Sequence, residues 1–257
     1  MRNLKLTLAY DGTDFSGWQI QPGRPTIQGL LASAIGRLTG ENVLPQGSGR
    51  TDAGVHAQAQ VATFATESPI PVENLAKALN DTLSGAIRVL AAEEAAPEFH
   101  ARKSARAKTY EYRMYRGVLC SPFVARYVWH YPFLLDEGAM AAAAGVFEGE
   151  HDFTSFAAVD PEKREETSEE SPGEGARGNT RRIYSSTWQR RGEELVYSVR
   201  GSGFLHHMVR NLVGTLILVG KGTIDRECLV QNLRDRNRSA AGATAPASGL
   251  CLMNVEY

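Results

Sequence analysis

Gly47-Ser48-Gly49-Arg50-Thr51-Asp52-Ala53-Gly54-Val55-His56 lies between two strand-like stretches, roughly 42–47 and 58–65. Its glycines suit a loop that approaches a ligand closely, because glycine tolerates backbone conformations closed to other residues. A phosphate-cradling loop needs Gly-x-x-x-x-Gly-Lys-Ser/Thr, and no Lys-Ser or Lys-Thr pair comes after these glycines. The dinucleotide fingerprint Gly-x-Gly-x-x-Gly fails as well, since position 52 is Asp and residues 58–65 read as strand, not helix. Nucleotide-cofactor enzymes are therefore disfavoured. The loop offers one arginine and one carboxylate, and Asp52 there can act as nucleophile or base. A plainer reading stands beside this, a tight turn in which Asp52 bonds its own backbone and Gly54 supplies a positive φ.

Residues 3–10 alternate Leu4, Leu6, Leu8 and Tyr10, a half-buried strand that ends in the Asp11-Gly12 turn. Ile27, Leu30, Leu31, Ala34, Ile35 and Leu38 then recur at helical spacing, with Thr26 to cap the start and Gly40 to end the helix. After the loop strands, a second helix opens at Pro71 and carries Leu75, Leu79 and Leu83, with a strand next at 86–92. The order is βαββαβ. The second half repeats it, with a strand at 107–116, a helix after Asp136 bearing Met140, Ala143, Ala144 and Phe147, and a hairpin of 181–190 with 194–200 turning at Gly192. A helix at 203–219, another near 225–236 and a closing strand at 251–257 complete the pattern. The expected fold class is α+β, with two tandem ferredoxin-like βαββαβ halves, 1–105 and 106–257, around a central mostly antiparallel sheet with a cleft between them.

A chain of 257 residues can bury a substantial core. The longest strongly apolar run, Leu212 to Gly220, is far too short to span a bilayer, and the N-terminus has no basic segment followed by an apolar one, so a cytoplasmic protein is expected. Cys120, Cys228 and Cys251 are widely spaced, and no His-Glu-x-x-His pattern occurs, so neither a disulfide framework nor a metal site is expected.

The formal net charge is −1, but its distribution matters more than its sum. Residues 160–178 hold seven acidic and three basic side chains, lack periodicity and are rich in Glu, Ser, Pro and Gly, which marks an acidic flexible surface insertion. The rest of the chain is therefore net basic. Residues 101–116 carry Arg102, Lys103, Arg106, Lys108, Arg113 and Arg116 against Glu111 alone, interleaved with Tyr110, Tyr112 and Tyr115. Phosphate contact plus base stacking requires such a mixture, and a solvated strand surface presents the same pattern.

The run GRTDAGVHA (49–57) resembles the catalytic loop of the TruA family of tRNA pseudouridine synthases. YDGTDFSGWQ (10–19), FHARKSARAKTYEY (99–112), HDFTSF (151–156), GFLHHMVRNLVG (203–214) and AGATAPASGL (241–250) match that family in the same order, so the resemblance covers nearly the whole chain. It implies isomerisation of uridine to pseudouridine in the anticodon stem-loop of tRNA, at positions 38 to 40, by a homodimer without an external cofactor. It assigns catalysis to Asp52, places Arg210 beside it as a salt-bridge partner, and makes Tyr110 the aromatic that contacts or stacks on the target uracil. Arg50 would occupy the vacated space or bind the adjacent phosphate, and Leu250 would line the target pocket. His56, Gln28, Asp11 and Trp18 match family positions with a role in either loop architecture or RNA contact.

From the residues alone, Leu205, Met208, Val209, Leu212 and Leu216 form an apolar stripe, while His206, Arg210 and Gly214 fall on an adjoining face where Gly214 would admit another backbone. Tyr110 can equally be core, Arg210 a snorkelling surface residue, Arg50 a turn residue and Leu250 core packing. Two other functions stay in view: a noncatalytic RNA-binding or RNA-folding module, and a carboxylate-dependent nucleoside or glycoside hydrolase. The latter would release free base and need a second paired carboxylate, for which the matching segments offer no obvious candidate.

Overall fold

The computed structural model describes residues 1–158 and 178–257, so the acidic segment 160–178 lies, apart from Gly178, outside the described residues. In chain order the elements are β1 (Arg2–Tyr10), α1 (Ile27–Thr39), β2 (Gln46–Gly47), β3 (His56–Thr66), α2 (Val72–Thr82), β4 (Ile87–Ala95), β5 (Ala107–Tyr115), α3 (Pro122–Ala125), β6 (Trp129–His130), α4 (Glu137–Ala144), β7 (Gly149–Asp152), β8 (Thr180–Arg191), β9 (Glu194–Gly201), α5 (Met208–Gly220), α6 (Arg226–Asp235) and β10 (Leu250–Glu256). The fold is α+β with mostly antiparallel pairing. It comprises two compact units, the first made of Met1–Tyr110, Pro122–Val128 and Ala247–Tyr257, the second of Glu111–Ser121 and Trp129–Pro246.

In the first unit β1 pairs antiparallel with both β3 and β4, and β2 pairs antiparallel with β3, which is the strand arrangement of a βαββαβ ferredoxin-like repeat. β10 joins the start of β3 in parallel, setting Cys251 opposite His56. Alternation along β1 buries Leu4, Leu6, Leu8 and Tyr10, each apolar side chain contributing about 1.5–3 kcal/mol. As expected, the Thr26 hydroxyl accepts from the Gly29 amide at the head of α1, and Gly40 closes the helix at φ 75°. α2 ends one residue earlier than Leu83, whose backbone is extended. Asn80 ties this helix to β4 by exchanging two hydrogen bonds with the Val89 backbone. Of the strand expected at 42–47 only Gln46–Gly47 pairs, because Pro45 has no N–H to give a ladder and its carbonyl accepts instead from Gln28 Nε2.

In the second unit β8 and β9 form the expected hairpin, with Gly192 at φ 60° in its turn, and β7 adds antiparallel to β8. Asp136 caps α4 through the Ala139 amide, and Met140, Ala143, Ala144 and Phe147 are buried. The segment HDFTSF is structural here: Phe153 and Phe156 are fully buried, with Phe147 edge-on to Phe156 at 5.2 Å. α5 begins at Met208, five residues after the expected start. His207 has φ 59°, a left-handed conformation that a right-handed helix does not pass through, and the Met208 amide instead closes a turn onto the Leu205 carbonyl. Leu205 and His206 therefore precede the helix, and the faces drawn from the sequence apply only from Met208 onward. Among the described residues no helix is long and apolar enough to cross a membrane.

Candidate active site

The loop between β2 and β3 is a real turn as well as a candidate site. Gly54 sits at φ 79°, and the Val55 amide donates to the Asp52 carbonyl at 3.1 Å. The Trp18 amide donates to the Thr51 carbonyl (3.0 Å) and the Gly54 amide to the Phe15 carbonyl (3.3 Å), so the segment after β1 braces the loop from one side. Between these anchors Asp52 is partly exposed.

His56, where the loop enters β3, and Asp11, just after β1, fix the loop's exit. The Gly12 amide donates to His56 Nδ1 at 3.1 Å, which leaves the proton on Nε2, and Nε2 donates to the Arg126 carbonyl at 3.0 Å. Asp11 Oδ1 lies 3.2 Å from His56 Nδ1, while its Oδ2 accepts from the Tyr127 hydroxyl (3.1 Å) and faces the Arg126 guanidinium. Burial works against the Asp11 carboxylate, but hydrogen bonds from Thr13 and Tyr127 outweigh it and hold its pKa below the ordinary value. For His56 burial dominates and, with the Arg126 charge, lowers the imidazole against the pull of Asp11 and the Arg126 and Ser248 backbone. His56 and Asp11 thus serve loop architecture in this structure.

This geometry has a consequence for stability. The unfolded chain protonates His56 at about pH 6.5, whereas the folded chain does so only at lower pH. As pH falls below that value the unfolded state takes up the proton first, so stability present above about pH 6.5 is progressively lost. Thermal unfolding from pH 7 to pH 5 should show Tm falling more steeply in the wild type than in His56→Asn; parallel slopes would contradict this assignment.

Tyr110, on β5, is buried to 8 % exposure. Burial raises its hydroxyl pKa, and the charge of Asp52 raises it further, so the ring is neutral and within electrostatic reach of Asp52. Leu250, the first residue of β10, is 5 % exposed, which either of its two readings requires. Arg50 is exposed at the surface of the loop. The first unit therefore holds Asp52, Arg50, Tyr110 and Leu250 together.

Arg210 belongs to the second unit, in the first turn of α5. Its Nε donates to the Ala245 carbonyl at 2.7 Å, its own carbonyl accepts from the Ala245 amide at 3.2 Å, and the Tyr112 hydroxyl donates to the next carbonyl, Pro246, at 2.8 Å. Gly214 does admit another backbone: a Cβ there would stand 1.8 Å from the Ala243 carbonyl oxygen. Asn211, fully buried, gives its amide to the Phe156 carbonyl and takes hydrogen bonds from Thr244 and Arg238. The segment before β10 is thus clamped along α5, and Arg210 with it. Nothing in the sequence singled out Asn211 or Arg238; an asparagine inside an apolar helical stripe is the one available signal.

The basic stripe divides. Arg113 makes a bidentate pair with Glu194 (2.7 and 2.6 Å) and Arg116 pairs with Glu137 at 3.1 Å, so this end is an ordinary ion-paired strand surface. Arg102, Lys103 and Arg106 remain exposed and available to phosphate.

A family model described as tRNA pseudouridine synthase matches residues 7–102 and 143–257. Among relatives, the tRNA pseudouridine synthase A of Solibacter usitatus is 54 % identical over 259 residues, covering 100 % of both chains. The proteins of the same name from Moorella thermoacetica (44 %, 99 % of each chain) and Pelobacter propionicus (43 %, 100 % of each) are similar over equal extents.

Proposed function

This chain belongs to the tRNA pseudouridine synthase family, and from that premise we propose that it isomerises uridines 38, 39 and 40 in the anticodon stem-loop of tRNA with Asp52 as its nucleophile or base. Isomerisation of tRNA uridine is the reaction of the family. The observation that supports the finer reading is the placement of Asp52, a partly exposed carboxylate on a loop anchored on both sides, with the buried Tyr110 ring within reach of its charge.

The reaction breaks N1–C1′ and forms C5–C1′, with a proton lost from C5 and one gained at N1, so it has no net redox change and calls for no external cofactor. A carboxylate can begin it by attacking C1′ or by abstracting a ribose proton so that the base leaves as a glycal forms. Arg210, held through its Nε by the Ala245 carbonyl, is the proposed salt-bridge partner of Asp52. Tyr110 contacts or stacks on the uracil rotated out of the RNA, Leu250 lines its pocket, and Arg50 fills the vacated space or binds the neighbouring phosphate. Residues 1–105 form the half that carries the catalytic loop and 106–257 the half that carries Arg210. The working species is a cytoplasmic homodimer that takes tRNA as its partner.

Mapping pseudouridine by carbodiimide adducts in tRNAs incubated with the protein tests this reading. Adducts at positions 38 to 40 are expected. Adducts confined to another arm would overturn the stem-loop assignment, free uracil would point to a hydrolase, and tight RNA binding without conversion would point to a noncatalytic module.

A further inference from the structure

Below the loop that carries Asp52 lies a polar cluster inside the apolar core of the first unit. Gln60, on β3, is 0 % exposed, yet each side of its amide is used. Its Oε1 accepts from the Ser48 hydroxyl at 2.6 Å and from the Val61 amide at 3.1 Å. Its Nε2 donates to the Gly49 carbonyl at 3.0 Å and to the Tyr10 hydroxyl at 3.4 Å. Tyr10, 4 % exposed at the end of β1, lies 2.8 Å from the Thr51 hydroxyl. The Tyr10 oxygen accepts from Gln60, and either hydroxyl can supply the proton of the Tyr10–Thr51 bond. Burial raises the pKa of this phenol, which keeps it protonated.

The backbone closes the arrangement. Ser48 is held by its amide on the Val61 carbonyl, and its carbonyl accepts from Lys108 Nζ. Positions 48, 49 and 51 of the loop are therefore all tied to one buried glutamine, two of them directly and Thr51 through Tyr10. Asp52 is the next residue. Burying polar groups costs stability unless they are fully satisfied, and a satisfied buried network fixes one geometry. A hydrophobic residue at 60 would serve the core as well, so a polar cluster at this place needs a reason in the loop above it.

We infer that Tyr10, Thr51 and Gln60 are positioning residues for Asp52, a buried hydrogen-bond relay that sets the carboxylate against the reacting sugar. The inference rests on the reading of Asp52 as the catalytic group. None of the three touches substrate; they act through the loop backbone, and their loss misplaces the reacting carboxylate rather than weakening RNA binding.

Tyr10→Phe and Thr51→Val each remove one hydroxyl with little change of volume, and steady-state kinetics on tRNA can be measured beside thermal unfolding. Each is expected to lower kcat by about tenfold or more while KM for tRNA stays within about twofold and Tm within a few degrees. The double variant should be no worse than the poorer single one, because both remove the same interaction. Thr51→Ser, which keeps the hydroxyl, should recover most of the loss. Unchanged kcat in both single variants would overturn the inference, as would losses that multiply in the double variant or that appear only in KM. Asp52→Asn, assayed alongside, separates the relay from the catalytic carboxylate. If it is inactive while Tyr10→Phe is unaffected, the relay alone fails. If Asp52→Asn keeps near wild-type kcat, the reading of Asp52 fails and the relay with it.

Discussion

Asparagine at position 52 is expected to lower the rate of pseudouridine formation by at least about 10³-fold, some 4 kcal/mol in the barrier, while leaving tRNA affinity within about threefold. The substitution keeps the size and planarity of the side chain. It removes the one capacity both chemical routes require, a carboxylate that attacks carbon or accepts a proton. The loop backbone is held independently of this side chain, by bonds at Thr51, Asp52 and Gly54 and by the buried contacts of Ser48 and Gly49. RNA affinity, by contrast, is expected to rest chiefly on phosphate contacts, for which the exposed Arg102, Lys103 and Arg106 are available. Single-turnover conversion with filter binding checks both halves of this expectation. Conversion above about a tenth of the wild-type rate would show that another group does the chemistry.

Alanine at position 214 should produce the largest loss of stability. Its Cβ would stand 1.8 Å from the Ala243 carbonyl oxygen, and the atom in the way is backbone, so no rotamer change relieves the overlap. Overpacking of this kind costs about 3 kcal/mol or more, which lowers Tm by roughly 6–12 °C in a domain of this size. The damage has a direction too. The displaced segment runs on to Ala245, whose carbonyl and amide hold Arg210, so activity per folded molecule should fall with stability. Gly145→Ala is the control in the same unit: a methyl there meets nothing within 4 Å, and Tm should move by less than about 2 °C. Equal shifts for the two variants would contradict the packing argument.

Much of the fold was legible because local signals and tertiary packing agree. Thr26 and Gly40 bound α1 as caps, the alternation of Leu4, Leu6 and Leu8 is the buried face of β1, and Gly192 turns the β8–β9 hairpin. Where they disagree the sequence misleads. The apolar stripe from Leu205 suggests a helix already under way, but the left-handed backbone at His207 delays α5 to Met208, and periodicity carries no trace of a single positive φ. Pro45 was visible, yet its effect on 42–47 depends on which side of β3 is free to pair.

The candidate site was legible mainly as motif. GRTDAGVHA marks Asp52 and His56, but only the structure shows His56 bonded to Gly12 and Arg126 and set beside Asp11. Gln60 could not be found from the sequence, because a glutamine in an alternating strand reads as solvent-facing until its burial is known. Arg113 and Arg116 show the converse, basic residues with aromatic neighbours whose charge is spent on Glu194 and Glu137.

Tritium release from tRNA labelled at C5 of uridine, with wild type and Asp52→Asn run side by side, reads the chemistry directly, because rejoining the base through C5 expels that hydrogen. Release by the wild type, stoichiometric with the uridines converted, is expected, and none above background by Asp52→Asn while it still binds the tRNA. Release by both proteins would remove Asp52 from the chemistry. No release by the wild type, with tRNA bound, would contradict the account as a whole.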